Sequence, residues 1–195
     1  IYFSVSGQIT IWIISFFGKT SSIAQLGALG RLSMLIALIG VVVSTLVIPR
    51  YARLPKQKDI LSKRGLQVLF LLFLLLSSVV CFFYLFSSQF LWVLGSEYAG
   101  LEIEMVLSIV GASISMISGA FYALSSTRGW IINPVTSILI NYISVVIGVF
   151  IFDVSTLIGV LKLNIFLAVV LFVFIFVFWI SKIMLLDKSK SVKSS

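Results

Sequence analysis

The sequence predicts an all-α, polytopic membrane protein built as a bundle of six transmembrane helices. Hydrophobic residues make up 61% of the 195-residue chain, whereas Lys and Arg number only 14 and Asp and Glu only six. Apolar runs of about 20 residues recur along the chain, the length that a helix needs to cross a hydrocarbon core of about 30 Å. The sequence lacks the strictly alternating segments of about 10 residues that form a transmembrane β-barrel. A soluble globular domain is therefore excluded.

The first three spans are separated by turn residues and by a basic loop. Residues 18–22 (GKTSS) interrupt the first apolar run, and Pro49 closes the second because proline disrupts a helix interior. The third run lies between the basic loop and Gly95. The six predicted spans are residues 1–18, 22–49, 66–94, 104–126, 132–152 and 156–186, which together form one lobe covering residues 1–186.

The last three spans follow the same logic. The fourth begins at Glu104, is rich in serine and ends before Thr127. The fifth opens with Asn133 and Pro134, because proline is tolerated in the first turn of a helix. The sixth is dominated by Leu, Phe, Val and Ile, and a basic tail over residues 187–195 follows it. The tail is predicted to lie in the cytoplasm.

The charges predict how the bundle is oriented. One set of loops and ends holds 11 of the 14 basic residues, namely Arg50, Arg53, Lys56, Lys58, Lys63, Arg64, Arg128, Lys182, Lys188, Lys190 and Lys193. The other set holds Lys19, Arg31, Lys162 and the acids Glu97, Glu102, Glu104 and Asp153. Basic loops stay in the cytoplasm, so both ends of this segment are predicted to lie there. A patch for anionic lipid or nucleic acid is the alternative, but a solvated, orienting loop explains the charges more simply, and no nucleic-acid partner is predicted.

Two amides interrupt the spans. Gln8 lies in the first span and Asn141 in the fifth, where an amide is costly without hydrogen-bonding partners. Each is predicted to face a neighbouring helix or a wet cavity, and we treat both as candidate substrate-binding residues. Glycine and serine stripes in the second, fourth and fifth spans are typical of close helix packing.

Enzyme chemistry has little support in the sequence. The chain has no histidine, and its one cysteine, Cys81, lies inside an apolar run. No metal-ligand cluster, phosphate-binding glycine loop or nucleophile–base pair appears, so neither catalysis nor a cofactor or metal is predicted. No acid lies deep in a span, where ion-coupled transporters often keep one.

The order of several motifs resembles a known transporter family. The second span runs from RLSM at 31–34 to Ile48–Ala52 (IPRYA), and a basic loop and an apolar hairpin follow. Residues 92–100 (WVLGSEYAG) precede the serine-rich span, and residues 127–129 (TRG) follow it. This order resembles the C-terminal six-helix lobe of the multidrug/oligosaccharidyl-lipid/polysaccharide exporter superfamily. The branch it resembles contains the polysaccharide-biosynthesis proteins, which include the O-antigen flippases.

The resemblance implies a function and a setting. Such proteins have two six-helix lobes around a cleft, and they rock between inward-open and outward-open states. They move undecaprenyl-diphosphate-linked oligosaccharide, such as an O-antigen unit of lipopolysaccharide, across the bacterial cytoplasmic membrane. The implied partners are that lipid-linked substrate, membrane lipid, an N-terminal lobe of the same chain and the polysaccharide polymerase. A drug or cation antiporter of the same superfamily and a non-transporting scaffold subunit remain alternatives.

Arg31 heads the longest uncharged part of the second span. The resemblance implies that Arg31 lies in the cleft and binds the substrate diphosphate, because the guanidinium fork pairs with phosphate oxygens. On a helical wheel, however, Arg31 points nearly opposite the small-residue stripe of its own helix. An anchor that snorkels to the membrane surface is therefore the alternative. Lys162, at the start of the last span, is predicted to line an outer vestibule or to act as an anchor.

Overall fold

The computed structural model describes the backbone of residues 20–191 and the side chains of residues 24–186 except Ser96. The helices are α1 (Thr20–Val42), α2 (Ile48–Ala52), α3 (Lys58–Leu85), α4 (Ser87–Leu94), α5 (Glu102–Ser126), α6 (Pro134–Ile151) and α7 (Leu157–Ser191). A π-helical segment, Val43–Val47, joins α1 to α2, and a short 3-10 turn, Ser96–Tyr98, precedes α5. Residues 20–191 contain no strand, so the prediction of an all-α chain is confirmed.

Five helical segments within the described residues are long and apolar enough to cross a membrane. They are Ala24–Ala52, Lys58–Leu85, Glu102–Ser126, Pro134–Ile151 and Leu157–Leu186. A helical membrane bundle is therefore confirmed. The first predicted span, residues 1–18, lies outside the described residues, as does the end of the predicted tail.

Several helix boundaries differ from the predicted ones. Helix α3 begins at Lys58, eight residues before the predicted start at 66, because its charged first turns are also good helix formers. The predicted third span is also broken at Phe86, which separates α3 from α4. Helix α7 continues to Ser191, so the predicted tail begins as helix. By contrast, α6 starts as predicted, with Pro134 in its first turn and Asn133 Oδ1 accepting from the Val135 N–H at 3.0 Å.

Pro49 distorts the second span without ending it. Proline has no N–H to donate to the preceding turn, and the π-helical segment lies directly before it. The hydroxyls of Ser44 and Thr45 bond back to the Val41 carbonyl at 2.8 and 2.9 Å. The helix therefore continues three residues beyond the predicted end, to Ala52.

Helix α5 lies at the centre of the bundle, between α1, α3 and α7. Its core-facing side chains Met105, Ile109, Phe121 and Leu124 are fully buried. Helices α1 and α5 run parallel, since Ser33 bonds Ser108 and Gly40, further along α1, faces Met116, further along α5. Helix α6 packs against α7, which runs the length of α5.

The two ends of the bundle differ in charge. The end at which α2 meets α3 and α5 meets α6 carries Arg53 and Arg128, and we call it the basic end. The opposite end carries Glu102 and the α6–α7 turn with Asp153, and we call it the acidic end. In that turn the Ser155 hydroxyl and N–H both donate to Asp153 Oδ1, and these hydrogen bonds lower the pKa of the Asp153 carboxyl.

A buried contact between four elements closes the basic end. Tyr51 in α2 donates its hydroxyl to the Leu61 carbonyl of α3 at 3.3 Å and accepts a bond from Trp179 Nε1 of α7 at 3.2 Å. Arg128, after α5, lies with its guanidinium 5.3 Å from the centre of the Tyr51 ring. It also donates to the backbone carbonyls of Tyr51 and Leu54. We call Tyr51, Arg128 and Trp179 the basic-end lock.

Gly65 makes room for the Trp179 indole. A Cβ at position 65 would lie 2.1 Å from Trp179 Cζ2, well inside van der Waals contact. We therefore expect Gly65→Ala to push the indole away from Tyr51 and to lower the free energy of unfolding by about 1–3 kcal/mol, the usual cost of overpacking. The change is measured as a lower midpoint in thermal unfolding of the purified protein in detergent.

Gly27→Ala is the matched control, because a Cβ at position 27 in α1 would have no atom within 4 Å. Alanine is the better helix former, so this variant should melt at the wild-type temperature or above it. Equal midpoints for the two variants would contradict the packing of Trp179 against Gly65.

Candidate functional site: a groove along α5

A groove runs along the face of α5 between α1 and α6. Its floor is a stripe of small residues on α5, Ser108, Ala112, Ser115 and Gly119, spaced three or four residues apart. Small side chains at this spacing leave a shallow depression along one face of a helix. A Cβ at Gly119 would meet no atom within 4 Å, so the groove is open there.

The groove has three adjoining parts. Two lie toward the basic end: one of about 520 Å³ between α1 and α5, and one of about 370 Å³ between α5, α6 and α7. The third lies toward the acidic end, has a volume of about 420 Å³ and carries most of the polar groups. Ser115 lines all three parts, so they meet at this residue.

The third part is the candidate site, and we call it the polar chamber. Four helices line it, through Gly30 of α1, Ser108 and Ser115 of α5, Asn141 of α6 and Asn164 of α7, with apolar side chains between them. None of its lining residues is charged. Hydroxyls and amides both donate and accept hydrogen bonds, so the chamber suits a ligand rich in hydroxyl or amide groups rather than an ion.

Asn141 is the most informative residue of the chamber. Within the part of the chain that the structure describes, its half-buried side chain makes no hydrogen bond. It lies seven residues from the start of α6 and ten from its end, at depths of about 10 and 15 Å. An amide at the middle of a span is costly without partners, so its partners must come from outside the described residues, as water, a polar ligand or another part of the chain.

The hydroxyls around the chamber are bonded differently. Ser33 Oγ lies 2.9 Å from Ser108 Oγ, which ties α1 to α5 beside the chamber, and Ser33 also bonds its own helix at Leu29. Ser144, one turn beyond Asn141, donates to the Ile140 carbonyl at 2.7 Å and is buried. These serines therefore have protein partners, as the packing interpretation of the serine stripes predicts.

Arg31 does not line the groove. It lies two residues from Ser33, about 200° around the axis, and is exposed on the face of α1 that points away from α5. Because Ser33 is level with Ser108, the height of Arg31 along the helix axis is about 6 Å from the level at which α5 starts, at the acidic end. The helical wheel thus described its face correctly, and its predicted role in binding diphosphate stays a prediction.

The other candidate site residues lie in different places. Lys162 is exposed near the acidic end of α7 and does not line the chamber, so its vestibule role stays a prediction. Gln8 lies outside the described residues. Asn164, which lines the same chamber as Asn141, was not predicted, although an amide in an otherwise apolar span was an available signal. No group of three or more His, Cys, Asp or Glu side chains in the described part could hold a metal ion.

The groove is expected to admit water. In a Cys81→Ala background, a cysteine introduced by Ser115→Cys should react with a charged, water-soluble maleimide, because Ser115 is exposed in the groove. Ser78→Cys is the matched control, since Ser78 is exposed on α3 among apolar side chains that face lipid. Thiolates form and react only where water reaches them. Equal labelling rates in membranes would show that the groove is dry or filled.

Comparison with protein-family models, with curated proteins and with solved structures finds no match to this chain. The observations that bear on its function are therefore those of the molecule itself. They are the uncharged polar chamber at mid-span, the groove that continues from it and the opposite charges of the two ends.

Proposed function

We propose that this chain is one lobe of a transporter that flips undecaprenyl-diphosphate-linked oligosaccharide across the bacterial cytoplasmic membrane by alternating access. The observation that carries the proposal is the Asn141 amide, which lies at mid-span in an open chamber without a hydrogen-bond partner among the described residues. A glycan in transit needs hydrogen-bonding groups at this depth, because its hydroxyls leave water on the way across.

The lining of the chamber fits a sugar better than a cation. Asn141 and Ser115 offer an amide and a hydroxyl group, and no acid lines the chamber to attract a proton, sodium ion or cationic drug. This favours the flippase over a drug or cation antiporter. A scaffold subunit gains no support from an open polar chamber, because helix packing alone would favour filling it.

The groove fits one half of a two-lobed architecture. Among the described residues it is open along its length and bordered by α1 on one side and α6 on the other. In the proposed transporter a second lobe faces this groove and completes the cleft. The basic end then lies in the cytoplasm and the acidic end on the opposite side, following the positive-inside rule.

Asn141→Ala tests the chamber. In the complete transporter we expect this change to slow export of the lipid-linked unit about tenfold, because one hydrogen bond of roughly 1–1.5 kcal/mol to the moving glycan is lost. Surface glycan is measured in cells, and transfer of a fluorescent lipid-linked oligosaccharide is measured in vesicles, at matched protein levels. Gln89→Ala is the control, since it removes an exposed amide of α4 away from the groove. Normal transfer by Asn141→Ala would refute the glycan-binding role of the chamber.

Arg31 is tested separately, because it lies outside the chamber. We propose that it binds the diphosphate near the acidic end of the path. Arg31→Ala should then abolish export without lowering the protein level, whereas Arg31→Lys should keep part of the activity, because a point charge replaces a paired fork. The same transfer assay reports both variants. Unchanged export by Arg31→Ala would make Arg31 an interfacial anchor.

A further inference from the structure

The first turns of α3 present a charged face continuous with an apolar one. Because α3 begins at Lys58, Lys63 and Arg64 are not part of a solvated loop but belong to the second turn of a membrane-spanning helix. Their side chains therefore have positions fixed relative to the apolar residues that follow. The sequence predicted that residues 50–64 form a solvated loop, whereas the structure has Lys63 and Arg64 in a helix.

One face of α3 carries both charged and apolar residues. An open depression of about 650 Å³ is lined by Lys63, Leu66, Gln67, Phe70 and Leu71. These positions follow the i, i+3, i+4, i+7, i+8 spacing of a single helical stripe. Phe70 is 65% exposed and Leu71 is 62% exposed, so no described part of the protein covers the apolar half of the stripe.

The charges at the top of this stripe are not neutralised within the described residues. Lys63 makes no ion pair or hydrogen bond there, and Arg64 donates only to Gln67 Oε1, at 3.1 Å. The nearby residues Arg50 and Arg53 are exposed as well, and Asp59 is the one acid between Arg50 and Arg64. This surface therefore attracts an anion at the boundary between water and hydrocarbon.

We propose that this stripe binds an anionic phospholipid, with its phosphate at Lys63 and Arg64 and an acyl chain along Leu66, Phe70 and Leu71. The charge and the order of the residues argue for this occupant. Lys63 and Leu71 are eight residues apart, about 12 Å along the helix, so the polar end and the apolar end follow the direction from headgroup to acyl chain. Clusters of basic residues at the end of a span are attracted to anionic headgroups. The site does not depend on the proposed transport function.

The test compares two lipids on the full chain in detergent. Native mass spectrometry measures the affinity for phosphatidylglycerol and for phosphatidylcholine of the same acyl composition, and the anionic lipid should bind several-fold more tightly. Lys63→Gln should lower the affinity for phosphatidylglycerol about fivefold, and adding Arg64→Gln should lower that affinity about fivefold again. Lys162→Gln, which removes an exposed lysine at the acidic end, is the matched control and should leave the affinity unchanged.

Further measurements distinguish lipid binding from the binding of a free anion and from a loss of binding caused by misfolding. Phe70→Ala should also lower the affinity for phosphatidylglycerol, because the acyl chain contributes to binding. For the same reason, excess inorganic phosphate should not displace the bound lipid. The charge-conserving pair Lys63→Arg with Arg64→Lys should keep most of the affinity. Equal binding of the two lipids, equal effects of Lys63→Gln and Lys162→Gln, or displacement by phosphate would each overturn the proposal.

Discussion

The position of Tyr51 sets the register of the helices on which the groove depends. In a bilayer, apolar helix faces gain little from leaving lipid for one another, so polar contacts and close steric fits must define how helices align. Tyr51 supplies both, since its hydroxyl bonds α3 and α7 while its ring lies under the Arg128 guanidinium. Trp179 occupies the space above Gly65, where a side chain would collide with it. The basic end is thereby held at one register.

Helix α5 connects the basic end to the polar chamber. Helix α5 packs on α7 and α3 through large buried side chains and turns its small residues toward the groove. The Ser33–Ser108 hydrogen bond ties α1 to α5 near the opposite end. Asn141 and Asn164 come from neighbouring antiparallel helices, and the fit of Leu163 and Phe166 over Gly148 puts Asn164 about 10 Å along α6 from Asn141, toward the acidic end. Packing that is dense on one side of α5 and sparse on the other thus creates the chamber.

The sequence predicted the features that depend on local chemistry. Apolar length predicted the membrane helices, Asn133 and Pro134 predicted the start of α6, and the helical wheel predicted that Arg31 faces away from the small stripe. It did not predict the break at Phe86, where neither glycine nor proline occurs and where the ring of Phe83 stacks on Phe90 at 4.5 Å. Nor did it predict the basic-end lock, because a contact between residues 128 positions apart depends on tertiary packing. The same is true of Asn164, whose importance depends on which face α7 turns to Asn141.

The lock also bears on the order in which the protein matures. Tyr51 belongs to the first described membrane span, Ala24–Ala52, and Trp179 to the last described one, so the donor for the Tyr51 hydroxyl is made only after the other four spans. Until the ribosome has released α7, the notch at Gly65 stays empty and α3 has its contacts with α2 and α5 but not with Trp179. Chains that stop short of Trp179 therefore lack both the hydrogen bond to the Tyr51 hydroxyl and the indole that fills the notch at Gly65. The basic-end lock is therefore completed only when α7 has been made.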